Sequence, residues 1–211
     1  MTFPRASTTI WLDDQPGENR EMKTHVTTRE QILQAAYRVL VEQGYDATTI
    51  KAIAREARVA PGLLHYYFTN KDELLVEVLR DISRRSTETM REVVERLPAE
   101  QLREAGLNAV LQRTLHTPEA YRLRYELFAL GLRNPTLLPA VAALLKGGRE
   151  SIGRTVRTAE GERVADPNLF AAVLLACFDG LALQHLADPD FDIEGAYEIL
   201  RRIINVFLEY S

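Results

Sequence analysis

The chain has 211 residues, 46% of them hydrophobic and 27% charged, with a net charge of -4. This is ordinary globular composition and excludes a collagen-like, low-complexity or disordered chain. The single Cys177 rules out an internal disulfide, and Asp13 and Asp14 arrive before any apolar signal-peptide core, so the cytoplasm is the expected compartment. The longest apolar run, Leu169 to Phe178, is short of the ~20 residues a helix needs to cross a bilayer, and no membrane span or membrane partner is expected.

Residues 1–24 include Pro4, Asp13, Asp14, Pro16 and Gly17, lack periodicity, and read as a flexible N-terminal arm. Met22, just ahead of the first periodic stretch, is an alternative start. Apolar spacing is helical from there on, which predicts an all-α protein. The first helix opens at Thr27 or Thr28, three residues before Glu30 or Gln31, carries Ile32, Leu33, Ala36, Val39 and Leu40 on one face, and ends at Gly44. A short second helix opens at Thr48 or Thr49. After Arg58, Val59 and Ala60 a third begins with Pro61 at its first position. Asn70, with Glu73 placed for a capping box, opens a fourth that runs to Pro98, nearly 40 Å at ~1.5 Å per residue. Proline breaks then divide the chain into helices near 100–116, 118–132, 136–159, 167–187 and 192–209.

The charge is unevenly distributed. Arg20 to Lys71 holds eight Lys and Arg against five Asp and Glu, so a mildly basic block of net +3 precedes an acidic body. Within that block, two short helices joined by a tight turn form the arrangement that sets one helix across a phosphate backbone and the next in the major groove. Thr48, Thr49 and Lys51 stand at one helix start and Lys71 at another, where unpaired amides favour phosphate. The third helix, Pro61-Gly62-Leu63-Leu64-His65-Tyr66-Tyr67-Phe68, has small residues first, suited to close approach to base edges, and polar aromatic ones later. Leu64 and Phe68 are read as core. Tyr66 and Tyr67 are adjacent and cannot both face one core.

Thr28 to Ala36, Gly44-Tyr45, Thr48 to Ala57, Val59 to Phe68 and Lys71 to Leu75 together resemble the DNA-binding domain of the TetR family of bacterial transcriptional regulators. The resemblance implies a homodimeric, mostly repressing, ligand-responsive regulator of double-stranded DNA, with a helix-turn-helix domain over 25–71 and a helical ligand-binding and dimerisation domain over 72–211. It places Thr49, Lys51, Tyr67 and Lys71 against phosphates and Pro61, Gly62, Leu63 and Tyr66 against bases. Arg58 stands where the family usually has glycine, and His65 where tyrosine is commoner. A left-handed conformation would cost Arg58 about 1 kcal/mol relative to glycine, and its guanidinium is placed to return a phosphate contact. The C-terminal part is similar to the choline-sensing BetI type. An activator, or a regulator whose pocket goes unused, fits the same residues.

For the small-molecule effector, whose identity is open, Tyr121, Tyr125 and Phe128 form a helical stripe that serves either as a ligand wall or as core. His116, Arg124, Phe178 and Asp179 complete the expected pocket; Asp179, inside an apolar run, needs a partner that either a ligand or a dimer contact would provide. The helix containing Leu174, Phe178 and Leu181 is apolar nearly all round, and the last helix carries a wide stripe with Ile199, Ile203 and Phe207. Together they suit a four-helix dimer interface, or burial within one protomer.

Enzyme signatures fail. The four histidines, 25, 65, 116 and 185, form no His-Glu-x-x-His or Glu-x-x-His pattern, and no metal or other cofactor is expected. Asp188, Asp190 and Asp192 imitate a calcium loop, but Ile193 and Ile199 stand where that loop needs glycine and glutamate, so they read as helix caps. The acidic body also disfavours an architectural, sequence-tolerant DNA binder.

Overall fold

Caps and prolines set the helix boundaries. The structure, a computed structural model, describes residues 27–210, and the predicted N-terminal arm and Met22 lie outside them. Among the described residues there are nine α-helices, one 3-10 turn and no strand: α1 (Thr28–Ala47), α2 (Ile50–Glu56), α3 (Pro61–Tyr67), α4 (Lys71–Arg96), α5 (Ala99–His116), α6 (Pro118–Arg133), α7 (Leu138–Glu160), the turn Gly161–Arg163, α8 (Pro167–Ala187) and α9 (Ile193–Glu209). Thr27 and Glu30 form a reciprocal capping box at the start of α1. Thr49, Asn70, Asp166 and Asp192 cap α2, α4, α8 and α9 through their side-chain oxygens.

Three details differ from the sequence expectation. Glu73 accepts the N–H of Thr69 at 2.7 Å instead of that of Asn70, so α4 has a displaced box. Gly44, at φ 71°, breaks α1 where predicted, but hydrogen-bonded turns continue to Ala47. Helix α7 starts two residues late, because Asn134 draws Thr136 into a side-chain-bonded turn before the helix begins.

Two hydrophobic cores form. The first holds α1 to α4 together with Leu123 and Leu127 of α6 and Ala140, Val141 and Leu144 of α7. The second gathers Leu107 and Leu111 of α5, Val156 of α7, Leu174 and Phe178 of α8, and Tyr197, Leu200 and Ile204 of α9. Helix α4 belongs to both halves of the molecule: Leu74, Leu75, Val78 and Leu79 sit in the first core, and the helix then runs on for four further turns over the body. Helices α6 and α7 approach closely because Gly131 has no side chain; a Cβ there would overlap Val141.

Helix α8 corrects one expectation. Taken whole rather than as a ten-residue run, Pro167–Ala187 is long and apolar enough by length and composition to cross a membrane, and 22% of its most apolar stretch is buried in the protomer. Ala171, Leu174, Phe178 and Ala182 nevertheless pack inward, and Asp179 is ion-paired, which ties one face of the helix to the protein.

Candidate DNA-binding face and effector cavity

Leu64 and Phe68, both fully buried, anchor α3 to the first core, which turns the rest of this short helix outward. At this packing density Leu64→Ala would cost about 2–5 kcal/mol. Pro61, Gly62, His65 and Tyr66 are exposed, Leu63 and Tyr67 half-buried. The Tyr66 ring is 80% exposed and held edge-on against Tyr67 at 5.1 Å. One tyrosine leans on the domain, the other projects from it.

The turn before α3 contains Arg58 at φ 55°, a left-handed conformation that glycine would adopt without strain. Lys51, Arg55 and Arg58 are exposed, and among the described residues none of them has an ion-pair partner; Arg29 and Arg38 are paired with Glu77 and Glu56. The cations of α1 are thus paired, while those of α2 and of the turn that joins it to α3 are not. Arg55 was not anticipated from sequence, although its spacing of four from Lys51 puts both on one helical face.

Of the expected phosphate ligands, Thr48 is placed otherwise, and Lys71 uses two of its three ammonium donors within the domain. Thr48 is 2% exposed and its hydroxyl donates to the Gly44 carbonyl at 2.7 Å, so it shapes the turn after α1 instead of facing outward. The Lys71 ammonium donates to the carbonyls of Tyr45 at 2.8 Å and Asp46 at 3.3 Å and lies over the Tyr45 ring, stitching the start of α4 to the end of α1. Tyr45 in turn donates its hydroxyl to Asp72.

A cavity of about 630 Å³ opens between α4 and helices α5 to α9, within the range of small-molecule sites. Its wall is mainly apolar, with Ile82, Leu102, Val110, Leu144, Phe170 and Leu174 among its residues. Of the expected pocket residues, Tyr121, Arg124, Phe178 and Asp179 line it. His116, Tyr125 and Phe128 do not. His116 is exposed, with Nδ1 at 2.9 Å from the Gln112 carbonyl. Phe128 packs against the first core with the Arg124 guanidinium over its ring. Tyr125 donates its hydroxyl to the Asp179 carbonyl at 2.6 Å, and burial pushes its ionisation well above the usual phenol range. The stripe on α6 turns away from the cavity after one turn, because Leu123 and Leu127 dock that helix on α1 and fix its rotation. Sequence reasoning missed Arg103, Arg113 and Glu160, which also line the cavity. Arg103 makes two 2.8 Å bonds to Glu160 and a third, at 2.7 Å, to Asn205.

The expected dimer residues divide. Leu174 and Phe178 are buried inside the protomer, which corrects those two to intramolecular roles, and Leu181 is half-buried against the second core. Ile199 and Ile203 are each 60% exposed, and Phe207 is also exposed, stacked on Phe170 at 4.9 Å. The exposed face of α8 is instead Leu169, Val173, Ala176 and Leu183, running beside the α9 stripe of Ile199, Ile203, Val206 and Tyr210.

Residues 32–78 match the family model for bacterial regulatory proteins of the tetR family, and residues 98–206, just over half of the chain, match the tetracyclin repressor-like C-terminal domain. The chain belongs to the TetR family. It is similar to the transcriptional regulator PksA of Bacillus subtilis, at 28% identity over 170 residues that cover 78% of this chain and 82% of PksA. It is also similar to HdnoR of Paenarthrobacter nicotinovorans, at 26% identity with coverage of 78% and 86%. A crystal structure of a TetR-family regulator from Rhodococcus superposes with a TM-score of 0.72 at 25% identity, covering 86% of this chain and 98% of that one. This TetR-family protein is a helix-turn-helix DNA-binding transcriptional regulator, and its relatives are regulators, not enzymes.

Proposed function

We propose that the protein is a cytoplasmic, homodimeric repressor that binds a palindromic operator and is released from it by a small-molecule effector. The observation that carries this reading is the position of α4. Its first two turns are built into the core that holds α3, and its residues from Leu79 to Met90 line the cavity. An occupant of the cavity pushes on the same helix that positions the recognition helix. Tilting α4 changes the separation of the two α3 helices in a dimer, which must be about one DNA turn, ~34 Å, or a compatible multiple. Affinities for effector and DNA are then reciprocally coupled, typically by about 1–3 kcal/mol. HdnoR is described as a nicotine-responsive transcriptional repressor, and a ligand-released repressor is the corresponding reading here.

In this reading, residues 25–71 form the DNA-binding unit, with Thr49, Lys51, Arg58, Tyr67 and Lys71 toward phosphates and Pro61, Gly62, Leu63, His65 and Tyr66 toward bases. Residues 72–211 bind effector and dimerise. The dimer forms through the adjacent apolar faces of α8 and α9, since contiguous exposed apolar surface of that kind marks an interaction site. Sedimentation equilibrium tests this. The wild type is expected at twice the chain mass, and Ile203→Glu, which alters an exposed side chain and spares the core, at the chain mass with loss of operator binding. A wild-type monomer that still binds a palindrome tightly would overturn the dimer reading.

A further inference from the structure

The charges around the cavity do not balance. Three carboxylates line it, and each is already committed to an arginine: Glu88 to Arg84 at 2.9 Å, Glu160 to Arg103 at 2.8 Å, and Asp179 to Arg124 at 3.0 Å. Arg80, also in the wall, is paired with Glu77. Arg113 is the exception. It is half-buried in the wall where α5 ends, and among the described residues its guanidinium has no hydrogen bond or ion pair. Arg124 adds a second unmet donor, because its Nε is buried without a partner. Every carboxylate in the cavity wall thus has an arginine beside it, and one guanidinium is left without a carboxylate.

We infer that the effector is an organic anion, a carboxylate with an apolar body, whose carboxylate is taken by the Arg113 guanidinium. The inference rests on the effector reading of the cavity given above. A guanidinium presents a planar fork that matches a carboxylate, and in a low-dielectric wall the charge-assisted pair is stronger than a neutral hydrogen bond. The apolar body lies along Leu107, Val110, Ile152 and Leu174, where it removes hydrocarbon from water on both sides. A quaternary ammonium such as choline, which the BetI resemblance would suggest, fits poorly. It would have to share a carboxylate with an arginine, and of the three aromatic rings in the wall two are stacked within the protein, Phe170 on Phe207 and Phe178 on Tyr197, so that Tyr121 alone forms no aromatic cage.

Isothermal titration calorimetry of the full chain without DNA tests the class of ligand. The probes are octanoate, 1-octanol, octyltrimethylammonium and 2-naphthoate. At least one carboxylate is expected to bind about tenfold or more tightly than the alcohol, with the ammonium weakest. Arg113→Gln is expected to abolish that advantage while leaving octanol binding within about twofold, and Arg113→Lys to retain part of it. Stronger binding of the ammonium, no binding of either carboxylate, or equal weakening of acid and alcohol in Arg113→Gln would overturn the inference. DNA release is read separately, by fluorescence anisotropy of a bound duplex. A carboxylate that binds through Arg113 but leaves DNA affinity unchanged upholds the ligand class and refutes the effector reading.

Discussion

Arg124 of α6 and Asp179 of α8 meet at 3.0 Å in the cavity wall, their side chains only 15% and 17% exposed. With the Tyr125 hydroxyl on the Asp179 carbonyl, this pair fixes α6 against α8. Asp179→Ala leaves a largely buried guanidinium without its carboxylate and should cost about 1–3 kcal/mol after allowing for partial exposure. Thermal unfolding should fall by roughly 2–4 °C per kcal/mol for a chain of this size. The double variant Arg124→Met with Asp179→Leu should recover most of the loss, because an apolar pair removes both desolvated charges. If the double variant is as unstable as the single one, the pair is not what holds these helices together.

Arg58 exchanges stability for charge. Its φ of 55° is strained for any residue with a Cβ, so Arg58→Gly should gain about 1 kcal/mol in denaturant unfolding. The same change should weaken DNA binding and flatten the salt dependence of affinity by ~1, as loss of one phosphate contact does. A stability gain with an unchanged salt slope would place Arg58 off the DNA.

Lys51, Lys71 and Tyr66 should separate by readout. Lys51 is exposed and unpaired, so Lys51→Ala should weaken binding to all sequences alike and flatten the salt slope by ~1, with unfolding unaffected. Lys71→Ala should also lower thermal stability, because its ammonium joins α4 to the carbonyls that end α1. Tyr66→Ala should alter preference between sequences. Competition binding against operator and scrambled duplexes reads all three, and equal weakening on every duplex for Tyr66→Ala would remove it from base recognition.

Glu126 gives the fold a pH dependence. It lies on α6 beside the kink of α1, near Gly44, with Asp46, Lys71 and Tyr45 as its charged and titratable neighbours. Burial raises its pKa above the usual carboxylate value, with Asp46 adding to the shift and the Tyr45 backbone amide and Lys71 opposing it, and Oε2 has no partner. The folded state then holds this proton more tightly than the unfolded state. Its contribution is greatest below the unfolded pKa, declines as pH rises through the folded pKa, and is flat above it. Glu126→Gln should therefore be more stable than wild type at pH 7–8, and the difference should shrink as pH falls through the raised folded pKa and level off below about 4.5. Unfolding curves across pH that run parallel for the two proteins would refute this.

The elements with local chemical signals were legible in the sequence. Thr27 with Glu30, Thr49, Asn70, Pro61 and Asp192 announce their helix starts within a few residues of themselves, and the alternation of Leu64 and Phe68 with Tyr66 fixes which face of α3 is outward. The α8 face was not legible. That helix is apolar on every side, so Leu174 and Phe178 cannot be told from Leu169 and Val173 until α7 and α9 are in place. The cavity was readable only in part. Arg103 and Glu160 are 57 residues apart, and Arg113 is distinguished by a partner it lacks, which no spacing records. Tyr125 and Phe128 share a stripe with Tyr121, but the docking of α6 on α1 turns them out of the cavity.

Selection of bound duplexes from a random-sequence pool at ~150 mM salt, where non-specific affinity is weak, tests the central claim most directly. A dimer whose α3 helices read DNA should enrich a palindrome with half-sites centred about 10 base pairs, or a compatible multiple, apart. The enrichment should disappear with Ile203→Glu. Enrichment of a single unpaired half-site, or of no sequence by a folded, dimeric and ligand-stripped protein, would contradict the account.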